Sequence, residues 1–125
     1  MSINKILIVD DEENIRNLLE SFLNKQGFET AVAKNGDDAL HIIRKQQIDL
    51  TFLDVKLPGK DGVEILKAIK DTTPDITVIM ISGHATVQTA EQTLKIGAFD
   101  YIKKPLNLEK VEEIICYVDL LHSNE

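Results

Sequence analysis

The chain has 125 residues, one cysteine and a net charge of −7, with 43% hydrophobic and 28% charged residues. This is the size and balance of one soluble globular domain with its own core, spanning residues 1–125. It excludes an internal disulfide, a bilayer-spanning run of roughly 18 apolar residues, and direct nucleic-acid binding, for which no basic stripe exists.

The N-terminal stretch MSINKILIVDDEEN has only a short apolar run before its acids. It lacks the core and cleavage site of a signal peptide, so a cytoplasmic protein is expected. Residues 5–9, KILIV, read as a first strand. Ile15, Leu18, Leu19, Phe22 and Leu23 then recur at the spacing of a helix with one buried face. Gly27 closes it as a left-handed cap. Residues 28–33, FETAVA, make a second strand, and Asn35-Gly36 turns into a second helix with Ala39, Leu40, Ile42 and Ile43 inward.

Residues 50–53 form a third strand that ends on Asp54. A third helix carries Val63, Leu66 and Ile69 and stops before Thr73-Pro74. Residues 76–81, ITVIMI, form a fourth strand, residues 85–96 a fourth helix stopped by Gly97, and residues 99–103 a fifth strand. Asn107 caps a last helix bearing Val111, Ile114, Ile115 and Val118.

The runs ILIV, TFL and TVIMI are nearly continuous rather than alternating. Strands of that kind are buried on both faces, as in a parallel sheet covered by helices. The expected fold is therefore a doubly wound α/β domain. In such sheets, sites form beyond the carboxyl ends of the strands, where the strand order reverses. The strand-ending residues are Asp10 and Asp11, then Asp54, then Ser82, then Lys103, Lys104 and Pro105.

Three carboxylates on one rim repel. A pair about 4 Å apart costs roughly 4 kcal/mol at an effective dielectric near 20. A hard divalent cation removes that cost, and Mg²⁺ takes carboxylates, waters and phosphate oxygens. A carboxylate held in such a site and facing a phosphoryl group is a nucleophile that yields an acyl phosphate. Lys104 would neutralise phosphoryl oxygens and Ser82 would donate to one of them. His41, His84 and His122 are scattered without metal-ligand spacing.

With ILIVDDEEN (6–14), LDVKLPGKDG (53–62), IMISGHAT (79–86) and GAFDYIKKPL (97–106), the sequence resembles the receiver domains of two-component response regulators. The resemblance covers essentially the whole chain. It implies a flavodoxin-like (βα)5 fold with strand order 2-1-3-4-5, a fold for which a member of this family is a standard example.

Residue by residue, the resemblance implies that Asp54 is the phosphoacceptor. Asp10, Asp11 and Asp54 bind Mg²⁺, together with the backbone carbonyl of Lys56. Lys104 pairs with phosphoryl oxygens, Ser82 is the switch hydroxyl, and Tyr101 changes rotamer with it. Serine at 82 keeps the hydroxyl of the commoner threonine. Lys104-Pro105 matches a position of a cis peptide. The donor would be a sensor histidine kinase or phosphotransfer protein, and the module would catalyse its own phosphorylation and slow dephosphorylation.

The expected output is a shift of the face made by the fourth helix, fifth strand and fifth helix, including Ala90, Leu94, Tyr101 and Lys103. SGHAT with GAFDYIKKPL most resembles receivers attached to AAA+ transcriptional activators of the nitrogen-regulation type. AAA+ and DNA-binding domains beyond this chain, and a phosphorylation-dependent homodimer, follow as expectations. The alternatives are a stand-alone phosphorelay receiver and a pseudo-receiver that binds partners without phosphorylation.

Other classes fit less well. A flavodoxin-type electron carrier needs a phosphate-cradling loop where this chain has DDEE. An aspartyl phosphatase needs D-x-D after its first strand, which is absent. Glu12 and Glu13 read as acids favouring a helix N-terminus. Asp61-Gly62 reads as turn and cap chemistry. His84 falls where the family varies phosphoryl lifetime. Cys116 reads as a small packed side chain with no base nearby.

Overall fold

The computed structural model of the chain describes residues 3–83 and 87–123. Strands and helices alternate without exception: β1 (Lys5–Val9), α1 (Glu13–Lys25), β2 (Glu29–Ala33), α2 (Gly36–Lys45), β3 (Leu50–Asp54), α3 (Gly62–Thr72), β4 (Thr77–Ser82), α4 (Val87–Ile96), β5 (Asp100–Lys103) and α5 (Leu108–Ser123). The strands form one sheet in the order β2-β1-β3-β4-β5, and every pairing is parallel. Strand order therefore reverses between β1 and β3, whose register sets Val9 beside Leu53.

Alternate residues of each strand feed two cores. Ile6, Ile8, Phe52, Ile79 and Ile81 face α1 and α5, where Leu19, Leu23, Val111 and Ile115 meet them. Leu7, Val9, Leu53, Val78 and Met80 face the other side, packed by Ala39, Ile43, Ile65, Leu66 and Ile69. Apolar side chains on both faces explain why the central strands carry unbroken hydrophobic runs.

Local signals end the helices where the sequence places them. Asn35 accepts from the Asp38 amide at 2.8 Å, and Asn107 accepts from the Glu109 amide at 2.9 Å. Gly27 and Gly97 take φ of +98° and +131°, a region that side chains other than glycine's disfavour. The start proposed for the fourth helix at residue 85, like His84, lies outside the described residues.

Among the residues expected to pack inward, Ile15, Phe22, Leu40, Ile42 and Val63 are partly buried, and Leu18 and Cys116 are exposed. Leu18 is 41% exposed, because Leu19 and Leu23 fill the space beneath α1 and leave Leu18 at the edge of the stripe. Cys116 is exposed as well. Ile114, Ile115 and Val118 take the inward side of α5, and the turn of the helix carries Cys116 out beside Glu112.

Thr51 is an unusual member of the core. It is fully buried between Leu7 and Val78, and its hydroxyl has no hydrogen-bond partner among the described residues. An unpaired buried hydroxyl costs free energy without return. Thr51→Val should stabilise the fold by about 1 kcal/mol, seen as a higher urea midpoint with an unchanged slope.

Candidate functional site

The carboxyl ends of the strands carry the polar residues of the sheet. Asp10 follows β1 and is fully buried; Asp54 ends β3 and Ser82 ends β4, at 4% and 2% exposure. Lys104 follows β5, and its backbone N–H donates to the Ser82 carbonyl at 2.8 Å before a cis Lys104-Pro105 bond. Asp11 is exposed beside Asp10. The sheet thus places on one rim the acids, hydroxyl and lysine that lie far apart in the chain.

Each buried acid is fixed through its backbone. The Asp10 amide donates to Ala33 at 3.1 Å, and the Asp10 carbonyl accepts from Arg16 Nη1 at 2.8 Å. Asp10 Oδ1 accepts from the Glu12 amide at 2.9 Å. Beyond β3, the Val55 amide donates to Ile81 at 3.0 Å and the Lys56 amide to Asp54 Oδ1 at 3.2 Å. The Gly62 amide closes the loop on the Val55 carbonyl at 2.6 Å.

Gly62 has no room for a side chain. A Cβ there would run into the backbone oxygens of Asp54 and Val55, which have no freedom to retreat. Asp61 caps α3 by accepting from the Glu64 amide at 3.0 Å. The Asp61-Gly62 pair is therefore structural, as expected, yet it holds the loop that holds Asp54. Gly62→Ala should lower the thermal unfolding midpoint, with a loss on the order of 2 kcal/mol.

Carboxylate oxygens of Asp10, Asp11 and Asp54 all lie within 4.8 Å of one another. The Lys104 ammonium sits against them, 2.9 Å from Asp10 Oδ2 and 3.2 Å from Asp54 Oδ2. A third contact, 3.2 Å to Glu12 Oε1, reaches across from the start of α1. Asp10 Oδ2 has this ion pair but no well-directed hydrogen-bond donor, although it is wholly buried.

The charges perturb one another. Burial, then the Asp10 carboxylate, pushes the Asp54 pKa up from 3.8 to about 6, against the pull of Lys104. For Lys104, burial works downward. Close contact with the Asp10 and Asp54 carboxylates outweighs it and holds the ammonium above the ordinary lysine value.

Of the residues singled out from sequence, Asp10, Asp11, Asp54, Ser82 and Lys104 gather on this rim. The Lys56 side chain is exposed at its edge. Tyr101 packs with the core beneath α2 and α3, and its hydroxyl is buried without a partner among the described residues. Lys103 is exposed.

The contact made by Glu12 is not legible in the sequence, where the residue reads only as a helix-terminus acid. The two residues are 92 positions apart, so no local pattern announces the pair. A groove of about 880 Å³ lies at the opposite pole of the sheet around Ile48, Pro74 and His122, and shares none of the rim residues.

The raised Asp54 pKa has a sign that can be checked. The folded state holds the Asp54 proton more tightly than the unfolded chain. Its stability contribution is complete below pH 3.8 and is lost as pH rises through about 6. Asp54→Asn should therefore be more stable than the parent at pH 8, by on the order of 2 kcal/mol, and equal to it near pH 3.8, by denaturant unfolding at both values.

Residues 6–116 match the response regulator receiver domain family. Over 113 residues the chain is 45% identical to an NtrX-like response regulator of Rickettsia bellii, covering 89% of this chain and 24% of that protein. It is 39% identical to sporulation initiation phosphotransferase F of Bacillus subtilis, over 89% of this chain and 90% of that protein. The crystal structure of the receiver domain of NtrX from Brucella abortus superposes with a TM-score of 0.83 at 40% identity, covering 87% of this chain and 92% of that one.

The chain thus spans about a quarter of the NtrX-like relative and nearly all of the phosphotransferase. No described helix is long and apolar enough to cross a membrane. Because the match takes in all four motifs and the whole acidic rim, the chain belongs to the response regulator receiver domains, the phosphorylation-dependent signalling modules of two-component systems.

Proposed function

We propose that residues 1–125 form one receiver module in which Asp54 accepts a phosphoryl group from a phosphohistidine on a sensor kinase or phosphotransfer protein. The observation that carries this reading is the Lys104 ammonium lying between two buried carboxylates, Asp10 and Asp54, at the switch point of the sheet. Burying Asp54 is costly, as its raised pKa records. A purely structural residue would gain nothing from that placement. A nucleophile gains rigidity and partial exclusion of water.

The rim suits a hard cation. Three carboxylates converge, and one fully buried oxygen, Asp10 Oδ2, lacks a directed donor. Asp10, Asp11, Asp54 and the Lys56 carbonyl would hold Mg²⁺. When bound, Mg²⁺ supplies charge neutralisation for the carboxylates and the phosphoryl oxygens.

The side chains do the rest. Asp54 is ionised above about pH 6, and one of its oxygens attacks phosphorus. The P–N bond to the donor imidazole breaks as the P–O bond forms, and the imidazole leaves with the electron pair. Lys104 meets the charge on the transferred oxygens. Ser82, on the adjacent strand, donates to one of them, and Tyr101 follows it. The readout is a shift of α4, β5 and α5, which needs roughly 5.5 kcal/mol of differential stabilisation to move from 1:99 to 99:1.

In a longer protein, that face would act on AAA+ and DNA-binding domains to regulate transcription, or pair with a second receiver on phosphorylation. A second reading, a stand-alone phosphorelay receiver, is favoured by the match to nine-tenths of sporulation initiation phosphotransferase F. Either setting is cytoplasmic.

Intact mass after incubation with acetyl phosphate tests the chemistry. One phosphoryl adduct should form with Mg²⁺, vanish with EDTA, and be absent from Asp54→Asn. An adduct persisting in the variant would mean that another carboxylate is the acceptor. Independently of phosphorylation, MgCl2 should raise the thermal midpoint of the parent, and should not raise that of Asp11→Asn.

A further inference from the structure

An ammonium has three hydrogens and no acceptor. Lys104 has three carboxylates around it, at 2.9 Å for Asp10 and 3.2 Å each for Asp54 and Glu12. The contacts to Asp54 and Glu12 are directed hydrogen bonds, and the contact to Asp10 is an ion pair. A phosphoryl group arriving at Asp54 brings further anionic oxygens, which compete with these carboxylates for the ammonium.

The three carboxylates are not equally free to leave. Asp10 is completely buried, with one oxygen held by the Glu12 amide and its carbonyl by Arg16. Turning it away from Lys104 would strand a charge out of reach of water. Asp54 is itself the atom donor for the new bond, and its side chain is 6% exposed. The Glu12 side chain is 58% exposed, so water can replace Lys104 at once.

The backbone of Glu12 is fixed while its side chain is uncommitted. Its amide holds Asp10 and its carbonyl accepts from the Arg16 amide. Glu12 stands at the N-cap of α1, yet its side chain makes no capping hydrogen bond. The carboxylate that could cap the helix spans the mouth of the site instead. It can swing out without disturbing Asp10.

We propose that Glu12 is a positioning residue: its carboxylate holds Lys104 in the resting rim and competes with the phosphoryl group for it, so the Glu12–Lys104 pair slows phosphorylation of Asp54. This rests on the reading of Asp54 as phosphoacceptor. The neighbouring acid Glu13 is the natural control. It is exposed on the same helix terminus with the same charge and makes no ion pair with Lys104.

The test is the second-order rate of Asp54 phosphorylation by acetyl phosphate with saturating Mg²⁺, measured on the whole chain. Glu12→Gln should be faster than the parent by about two- to fivefold, the range that an exposed ion pair supports. Glu12→Asp, which keeps the charge but shortens the reach, should also be faster. Glu13→Gln should match the parent. The gap between Glu12→Gln and the parent should close at about 1 M salt, where exposed pairs are screened.

Equal or slower phosphorylation of Glu12→Gln would overturn the proposal. So would equal acceleration by Glu13→Gln, which would reduce the effect to net charge. Acceleration by Glu12→Gln but not Glu12→Asp would overturn it in favour of simple repulsion of the donor. A parent that forms no adduct would overturn the reading of Asp54 itself, and this role with it.

Discussion

One buried contact organises the functional end of the molecule: the ammonium of Lys104 between Asp10 and Asp54. Two carboxylates cannot lie this close in a protein interior without a countercharge. The lysine supplies it, and its own charge is secured in return. The sheet makes the arrangement possible, because β1 and β3 are neighbours while β5 lies two strands beyond β3. A long flexible side chain spans that distance; a short one on β4 would not need to.

The remainder of the fold serves to hold those three residues still. Two cores clamp the sheet from both sides, and neither depends on the rim. The loop after β3 is tied at Val55, at Lys56 and at Gly62. The stiff part of the site is thus backbone, and the soft part is charge. The soft part is where a small chemical group can act, since a unit of charge in a confined place outweighs most single packing contacts.

Much of this is legible in the sequence, for reasons that differ by residue. Asn35, Asn107, Gly27 and Gly97 act on atoms a few positions away, so their signals are local and survive in the primary structure. The unbroken runs in β1, β3 and β4 report two-sided burial directly. The five-strand order and the convergence of Asp10, Asp54 and Lys104 follow once the family motifs are seen in order.

The misses are equally physical. Leu18 and Leu19 both fit a helical stripe, and only the shape of the sheet beneath decides which is covered. Cys116 lies one position beyond Ile115, and a helix turns about 100° per residue, which is enough to carry it into solvent. Thr51 reads as an ordinary strand residue; its unpaired hydroxyl is visible only with its neighbours in place. Glu12 sits at a helix terminus, which accounts for an acid locally, while its contact with Lys104 depends on the strand order that brings β1 and β5 to one rim.

The hydrogen bond from the Lys104 amide to the Ser82 carbonyl has a consequence of its own. The residue that steadies the Asp54 carboxylate is also the last rung joining β4 to β5. Its side chain belongs to the acidic rim and its main chain to the outer edge of the sheet. Whatever grips that edge also grips the rim. Binding free energies linked in this way are reciprocal. A partner on that edge that prefers the rim with a ligand bound tightens the binding of that ligand by the same factor.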